Sequence, residues 1–447
     1  MHSVHALFFW LKQVPVKHII FQMRKKAGAL SIILIMSLFF ALLPGEAGAQ
    51  SYRSFSSERD NILEETRWMI GPFRIFPRFN LKNIGYDGNV YYQGKDEEPV
   101  TDYTATISPE ITAHLLFRNS FILTVTENPE YIYYAEESRE RRWNNNFSPE
   151  FKWLLLGRIV LGGSYFYRNR RYRASSEFDV RANELRTGYR GSVFYETARE
   201  TSFGFNYKRE NISYEDVDYA GEEIYLSRIL SRQETTYEGE FYYQVFSRSF
   251  LFFKAGATAY EFESAEAQWR NSDSRQFYTG MRFPLLGRIN GQISLGYKEL
   301  TPRTEGLTGF SGLVGDSQVE YRLKSMRFRI EYHRDCQFSY WTNNIYYVYD
   351  NYVGGVSFYI TRFLRLDYDY NYGKGHYPEE ETIRLPDGTL YELKRDDTYT
   401  SSILGFAVRL IKNLGIGVNV SWWGRDSNIY YADRDRVFIG GYLTYDF

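Results

Sequence analysis

Histidine is scarce in this chain, so few residues are available for general acid–base or nucleophilic chemistry. After residue 49 only His114, His333 and His376 remain. A serine two residues from a histidine would lie on the same face of a strand and could be activated by it, but none of the three histidines belongs to a His-x-Ser sequence. His333 and Asp335 are two positions apart, so on a strand they would share one face and could act as an acid–base pair. A polar pair within a network of charges is the simpler interpretation, and we expect no enzymatic activity.

Metal, redox and nucleic-acid chemistry are not indicated either. Cys336 is the single cysteine, so neither an intrachain disulfide nor a cysteine–histidine metal cluster is expected. The 54 Lys and Arg residues are balanced by 55 Asp and Glu residues, without the basic excess that is typical of nucleic-acid binding. We therefore expect no cofactor, no metal and no nucleic-acid partner.

The elements that would position any site are indicated first by composition. Aromatic residues make up 19% of the chain, with 41 Tyr and 34 Phe, yet the mean hydropathy is polar at −0.46. A transmembrane β-barrel places aromatic rings on its lipid face and at both interfaces, while its polar interior lowers the mean hydropathy. A secreted β-sandwich or solenoid is the alternative, but it has no need of aromatic-rich outer faces.

The N-terminal segment has the organisation of a secretory signal peptide. A basic cluster at residues 23–26 precedes the apolar run 27–43 and a small-residue stretch that ends at Ala49. This pattern predicts cleavage before Gln50, so that residues 1–49 are removed. Met23 is an alternative start, in which case residues 1–22 are an upstream misreading. An uncleaved membrane anchor is the other alternative, because the apolar run approaches the lower length limit of a spanning helix.

Alternation of apolar and polar residues with period two recurs from about residue 101 to the end. In 364–372, for example, leucines and tyrosines alternate with Arg365, Asp367, Asp369 and Asn371. Such alternation is typical of strands with one apolar and one polar face. Because helical periodicity is nowhere competitive, the sequence predicts an all-β fold.

Short turns and longer polar connections separate these strands in regular alternation. The short turns are near 118–120, 156–158, 197–200, 247–249, 286–288, 324–325, 361–362 and 412–413. The longer connections are near 93–100, 136–143, 173–179, 216–232, 264–273, 302–313, 374–396 and 428–433. Short periplasmic turns and long outer loops are the architecture of an outer-membrane barrel. We predict a transmembrane antiparallel β-barrel over 72–447, with about 18 strands and 16 as the alternative.

Two segments outside the regular pattern bear on whether the interior is open. Residues 50–71 do not alternate, and we interpret them as a periplasmic tail or a small plug. Segment 374–396 is the longest predicted loop and contains the turn sequence Pro386-Asp387-Gly388. It is the first candidate for a loop that folds into the lumen.

The polar faces of the predicted strands carry charges of both signs. An arginine on the lipid face would cost about 2 to 4 kcal/mol at the bilayer midplane, so these faces should point inward. The candidate lumen-lining residues are Arg186, Arg190, Glu238, Glu240, Glu320, Arg322, Arg327, Arg329, Glu331, His333, Arg365, Asp367 and Asp369.

Two short motifs extend this interpretation. Leu443, Tyr445 and Phe447 share one face of the last strand, and this pattern resembles the C-terminal signal read by the barrel-assembly machinery. The sequence GPFRIFPRF at 71–79, followed by GYDGNVYY at 85–92, resembles the opening of outer-membrane β-barrel porins of the porin 2 type. The resemblance implies an outer-membrane location and, for some relatives, an association with exopolysaccharide export. Alternatively, 87–89 is a plain turn or bulge.

These patterns together predict a porin-like channel in the outer membrane of a Gram-negative cell, for passive diffusion of small hydrophilic solutes. The alternative is a non-conducting structural or export-partner barrel that works with polysaccharide or lipid transport. An outer-membrane hydrolase is a third hypothesis. The expected partners are outer-membrane lipids, lipopolysaccharide and the barrel-assembly machinery, and a homo-oligomer is left open.

Overall fold

The computed structural model describes residues 54–447 except 67, 96, 174–176, 178–179, 198–200, 220–221, 247–248, 286–287, 342, 385–388 and 430–431. The predicted signal peptide, 1–49, lies outside the described residues. The Pro386-Asp387-Gly388 turn does as well.

Eighteen antiparallel strands form one closed barrel, as the alternation predicts. They are β2 (Phe73–Asp87), β3 (Asp102–Phe117), β4 (Phe121–Tyr134), β5 (Arg142–Leu155), β6 (Ile159–Arg173), β7 (Arg181–Glu196), β8 (Ser202–Tyr214), β11 (Arg232–Phe246), β12 (Ser249–Phe262), β13 (Ser272–Leu285), β14 (Ile289–Pro302), β15 (Phe310–Leu323), β16 (Met326–Phe338), β17 (Tyr346–Tyr359), β18 (Leu364–Arg384), β19 (Leu390–Ile411), β20 (Leu414–Ser427) and β21 (Arg434–Asp446).

Smaller elements accompany the barrel. Strand β1 (Trp68–Ile70) pairs with the start of β2, and β9 (Val217–Tyr219) pairs with β10 (Glu222–Ile224) in a separate hairpin. Helix α1 (Phe55–Glu65) precedes the barrel, and α2 (Leu226–Leu230) follows β10. Two 3-10 helices cover Ser138–Glu140 and Ala265–Arg270. Among the described residues, no helix is both long and apolar enough to span a membrane.

Pairing of β2 with β21 closes the barrel. Arg78 lies opposite Asp446, and Gly85 lies opposite Gly440 beyond a register shift between Leu81 and Ile84. A Cβ atom on Gly85 would lie 1.9 Å from the carbonyl oxygen of Ile439, so only glycine fits this close approach. Gly85, the first residue of the 85–92 motif, is therefore required where β2 and β21 close the sheet.

The eight predicted short turns all connect neighbouring strands at one end of the barrel, which the convention for such barrels makes the periplasmic end. Two of them have positive φ at both central residues: 50° and 54° at Arg118 and Asn119, and 50° and 68° at Leu156 and Gly157. Such turns match the right-handed twist of the paired strands. The tips at 198–200, 247–248 and 286–287 are outside the described residues.

The prediction of one long loop over 374–396 is wrong. Strands β18 and β19 continue through most of this segment, with Glu380 opposite Lys394 and Arg384 opposite Leu390. The two strands form a ribbon that extends beyond the pairing of β18 with β17, which stops at His376. A ninth long connection, 339–345 between β16 and β17, was not predicted.

The two faces of the strands carry different side chains, aromatic on the outside and charged on the inside. On the outer face, Phe241 and Phe253 lie opposite each other with ring centroids 6.3 Å apart, and both are exposed. On the inner face of the same strands, Glu240 lies opposite Lys254, at 3.5 Å between charged atoms. The fold is thus a closed barrel with an aromatic outer belt and a charged interior.

Candidate functional site

Helix α1 lies against the inner wall at the periplasmic end. Ser54 caps the helix by accepting a hydrogen bond from the Ser57 amide at 3.4 Å. Phe55 and Ile62, two turns apart on one face, are its buried residues. They belong to an apolar cluster with inward-facing residues of β4, β6, β7, β11 and β12, namely Ile122, Val160, Phe194, Tyr242 and Phe252. The helix is therefore held by strands that form one continuous arc of the wall.

Polar contacts fix both the position and the direction of α1. The amide of Phe55 donates to Oε1 of Glu196 on β7 at 2.9 Å. Lys152 on β5 lies 2.5 Å from Glu58 and 3.1 Å from Glu150. An 11-residue helix is about 16 Å long, and α1 occupies part of the periplasmic end of the lumen beside this arc.

A cavity of about 1150 Å³ lies beside α1. We call it the periplasmic cavity. Its charged lining comprises Glu58, Glu65, Arg78, Glu110, Glu150, Lys152, Arg190, Lys208, Glu238, Glu240, Lys254 and Asp446. Among the described lining residues, seven side-chain carboxylates thus face five cationic side chains. Thr112, Ser192 and Thr236 are among the neutral polar residues in its wall.

Four of the sequence-predicted lumen residues lie on the arc near this cavity. Arg190, Glu238 and Glu240 line it directly. Glu240 accepts a hydrogen bond from the Asn206 side chain at 2.6 Å. Arg186, on β7, pairs with Glu184 at 2.7 Å and with Glu210 at 3.6 Å.

The other predicted lumen residues lie on the opposite arc, β15 to β18, where the register places them on the same inner face. The ion pairs there are Arg322–Glu320 at 2.6 Å, Arg327–Glu320 at 3.6 Å, Arg329–Glu331 at 3.2 Å, Arg329–Asp369 at 2.8 Å and Arg365–Asp367 at 2.7 Å. The structure therefore divides the predicted set between two arcs.

The possibility of a His333–Asp335 acid–base pair is not supported by the contacts. His333 Nδ1 lies 3.3 Å from a carboxylate oxygen of Asp316 on the neighbouring strand. Asp335 instead pairs with Lys298 at 2.8 Å. Both carboxylates form cross-strand contacts with different partners, as expected for a network of charges on a barrel wall.

A second cavity, of about 340 Å³, lies toward the extracellular end, and we call it the arginine cavity. Its charged lining is Glu140, Arg171, Arg181 and Arg436, and its neutral polar lining includes Asn83, Thr104, Thr106, Asn419 and Ser421. Among the described residues, three guanidinium groups thus face one carboxylate in this wall.

Asp87 organises the arginines behind this cavity. It is fully buried at the end of β2 and accepts two hydrogen bonds of 2.7 Å from Arg436 of β21, in a bidentate arrangement. Arg181 of β7 approaches the same carboxylate at 3.3 Å and donates to the Tyr134 hydroxyl at 2.5 Å. Arg171 holds Glu140 through bonds of 3.1 and 2.6 Å.

Tyr92 extends the same cluster from the connection between β2 and β3. Its hydroxyl accepts a hydrogen bond of 2.5 Å from Arg436, and its ring packs edge-on against Trp423 at 5.3 Å. The guanidinium of Arg173 lies 4.4 Å from the centre of each of these two rings. The connection is thereby folded onto the inner face.

A third set of contacts bridges the extracellular mouth. Glu177, between β6 and β7, accepts hydrogen bonds from the Ser339 hydroxyl at 2.6 Å and the Tyr340 amide at 2.8 Å, both between β16 and β17. Eight strands separate these connections one way around the barrel and ten the other way. Arg425 of β20 also donates to the Glu177 carbonyl at 3.2 Å. Nearly opposite parts of the rim are therefore joined, and we call these contacts the mouth bridge.

Burial dominates the electrostatics of the mouth bridge. It raises the pKa of Glu177 above its ordinary value, although the charge of Arg395 and the hydrogen bond from Ser339 act in the other direction. Burial also lowers the pKa of Arg270 to about 10. Arg270 donates to the Trp341 carbonyl at 2.9 Å, which braces the segment that receives Glu177.

Sequence reasoning missed Asp87, Arg181, Arg436 and Glu177. Asp87 lies in the quoted 85–92 motif, and Arg436 follows the inner-face parity of the last strand, so both carried a signal. Glu177 carried none, because it lies in a connection whose partner is 162 residues away.

The residues of the predicted assembly signal lie at the seam of the barrel. Leu443 and Tyr445 are paired with β2 through Leu81 and Phe79. The Phe447 ring packs against Tyr445 at 4.6 Å and against Trp68 at 6.1 Å. Recognition by an assembly machinery stays a prediction. Among the described residues, no group of three or more potential ligands is placed to hold a metal ion.

No family model and no curated protein matches the chain, so the resemblance to porins of the porin 2 type stays a prediction. Similar solved structures include the siderophore receptor PirA from Acinetobacter baumannii, at 7% identity and a TM-score of 0.42, covering 86% of this chain and 81% of that one. OccAB2 from Acinetobacter baumannii is 12% identical, with a TM-score of 0.45 and coverages of 83% and 98%. OpdO from Pseudomonas aeruginosa is 10% identical, with a TM-score of 0.44 and coverages of 83% and 97%. Such identities do not indicate a shared function.

The location follows from the barrel itself. A sheet can cross a hydrocarbon layer only when it closes and leaves no edge with unpaired backbone groups. This sheet closes through β2 and β21, and its outer face is rich in exposed aromatic and aliphatic side chains. The chain is an outer-membrane β-barrel.

Proposed function

We propose that this barrel is an outer-membrane channel for small hydrophilic solutes, which cross it by passive diffusion. The observation that carries the proposal is the exposure of charged side chains on the inner face of the β15–β18 arc. Arg322, Arg329 and Asp369 point inward, yet their side chains keep 67%, 37% and 32% of their accessible surface. Water therefore reaches this arc, as a hydrophilic permeation path requires.

Parts of the chain lie inside the barrel or across its rim at both ends of the path. Helix α1 acts as a small plug at the periplasmic end, held through Phe55 and Ile62. At the other end the mouth bridge joins opposite parts of the rim through Glu177. Solutes would pass between α1 and the charged wall, so this channel should be selective and of low conductance rather than a wide pore.

Single-channel recording in planar bilayers tests the proposal. The full mature barrel should give discrete open currents of small amplitude. A variant with Glu58→Gln and Lys152→Gln removes the charged contact that ties α1 to β5 and should change the amplitude or the frequency of opening. Silence in both proteins, with correctly folded barrels, would refute the channel.

The second candidate is a non-conducting structural or export-partner barrel. It is favoured by the same plug and mouth bridge, because α1 occupies part of one end of the lumen and Glu177 joins opposite parts of the rim at the other. Loss of outer-membrane polysaccharide or lipid export on deletion of the gene, without any solute-uptake defect, would support it over the channel.

A further inference from the structure

The arginine cavity has more positive than negative charge. Arg171, Arg181 and Arg436 line it, against Glu140 as the one carboxylate of its described wall. Even when Asp87 behind the wall is included, one positive charge is in excess among these residues. Charges in a partly buried site interact more strongly than in water, so this excess favours a bound anion.

The three guanidinium groups are held in place before any ligand arrives. Arg436 is fixed by Asp87 and Tyr92. Arg181 is fixed by Asp87 and Tyr134 and lies 3.6 Å from Glu140. Glu140 also fixes Arg171. A guanidinium has five N–H groups. Arg436 uses one each from Nε, Nη1 and Nη2 in its bonds to described residues, and so retains two further donors.

The rest of the wall suits an oxygen-rich anion. Thr104, Thr106, Asn419 and Ser421, which carry hydroxyl or amide groups, also line the cavity. A volume of about 340 Å³ is at the lower end of the range for small-molecule sites. Arginine recognises planar carboxylates and phosphates through paired N–H donors, whereas it has no such geometry for chloride.

We propose that the arginine cavity is a binding site for a small oxyanion, the carboxylate or phosphate group of a solute. Arg181 and Arg436 donate to the anion, and Arg171 supplies the third positive charge. Glu140 opposes binding, because it is paired with Arg171, lies 3.6 Å from Arg181 and carries the one negative charge among the described residues of the wall. A role of the site in selecting permeating anions rests on the proposed channel function, whereas binding itself does not.

Titration calorimetry on the detergent-solubilised full barrel tests binding without any need for conduction. Inorganic phosphate and acetate are the two probes, at constant ionic strength set with potassium chloride. Saturable binding of either probe is expected, and the stronger of the two identifies the phosphate or the carboxylate source. Folding of every variant is checked by the shift in gel mobility on heating.

Two variants should change the affinity in opposite directions. Arg181→Gln removes one donor and one charge and should weaken binding by about tenfold or more, as expected for a charge-assisted hydrogen bond. Arg181→Lys keeps the charge without the paired donors and should recover only part of the loss. Glu140→Gln removes the opposing charge and should strengthen binding.

Arg322→Gln is the matched control, since it removes an inward arginine far from this cavity and should leave the affinity unchanged. No saturable binding of either probe to the folded wild-type barrel would overturn the proposal. Weaker binding in Glu140→Gln would overturn it as well, because the cluster would then be a purely structural network. If Arg181→Gln does not fold, Glu140→Gln decides.

Discussion

The two cavities of the lumen are stabilised by different interactions, and their described walls carry net charges of opposite sign. The periplasmic cavity lies beside a helix that is anchored by Phe55 and Ile62, and the described residues of its wall include seven carboxylates and five cations. The arginine cavity is organised by the buried carboxylate of Asp87, and the charged residues of its described wall are three arginines and Glu140. Apolar burial, supported by the Lys152–Glu58 ion pair, thus holds one end of the lumen, whereas a network of buried ion pairs holds the other.

This difference implies that the two ends respond to different changes. Apolar packing depends on the volume of the side chains and is insensitive to charge. A buried ion pair is sensitive to the loss of either partner, because the remaining charge is left without compensation. Variants that separate these two responses therefore test the comparison directly.

The largest effect is expected from Phe55→Ala combined with Ile62→Ala. Truncation of a buried Phe costs about 3 to 5 kcal/mol and of a buried Ile about 2 to 5 kcal/mol, so α1 should leave the wall. Hydrogen exchange of 55–65 should increase strongly, and single-channel conductance should rise. Leu63→Ala, on the exposed face of the same helix, is the control and should change neither. A released helix with unchanged conductance would show that α1 does not narrow the path.

A somewhat smaller effect is expected from Arg436→Gln at the other end. It leaves the buried carboxylate of Asp87 without its bidentate partner, which costs about 3 to 5 kcal/mol. Urea titration of the barrel in lipid vesicles measures the loss. The double variant with Asp87→Asn should recover part of it, since the side chain at position 87 then carries no charge to be left uncompensated. A double variant as unstable as the single one would mean that packing, not charge, holds this end.

A smaller, pH-dependent effect is expected at the mouth bridge. Burial raises the pKa of Glu177 in the folded state above its unfolded value. The stability that Glu177 contributes is therefore fully present at pH values below its pKa in the unfolded state. It is lost as the pH rises through its pKa in the folded state. Hydrogen-exchange protection of the Tyr340 amide, which donates to Glu177, should fall over this range. Glu177→Gln should abolish the dependence, and protection that increases with pH would contradict it.

The smallest effect is expected from Arg322→Gln on the water-exposed arc. Its pair with Glu320 is 2.6 Å long, but the arginine side chain is 67% exposed. Such a pair contributes about 0 to 1 kcal/mol. The urea midpoint should therefore stay close to that of the wild type. A loss as large as that of Arg436→Gln would mean that this arc is as dry as the arginine cavity.

Much of the barrel could be predicted because its signals are local. Alternation with period two shows which residues share a face, and turn residues mark where the chain reverses, as at 118–120 and 156–158. The inner-face assignment of Arg329 and Asp369 needed only parity along each strand. Segment 374–396 is predicted as a loop because its polar, glycine-containing sequence resembles a connection. The structure shows a ribbon, whose cross-strand pairing is not visible in the sequence of either strand alone.

The sequence by itself therefore indicated about 18 strands, with 16 as the alternative, and it indicated the two faces and which end of the barrel carries the short turns. Each of these depends on residues a few positions apart. Only the tertiary structure decided which charges meet: Asp87 with Arg181 and Arg436, and Glu177 with the 339–340 segment. These partners are 94 to 349 residues apart in the chain, and closure of the sheet brings them together. Parity indicates that a side chain points inward, but its partner depends on curvature and on how each connection folds over the rim.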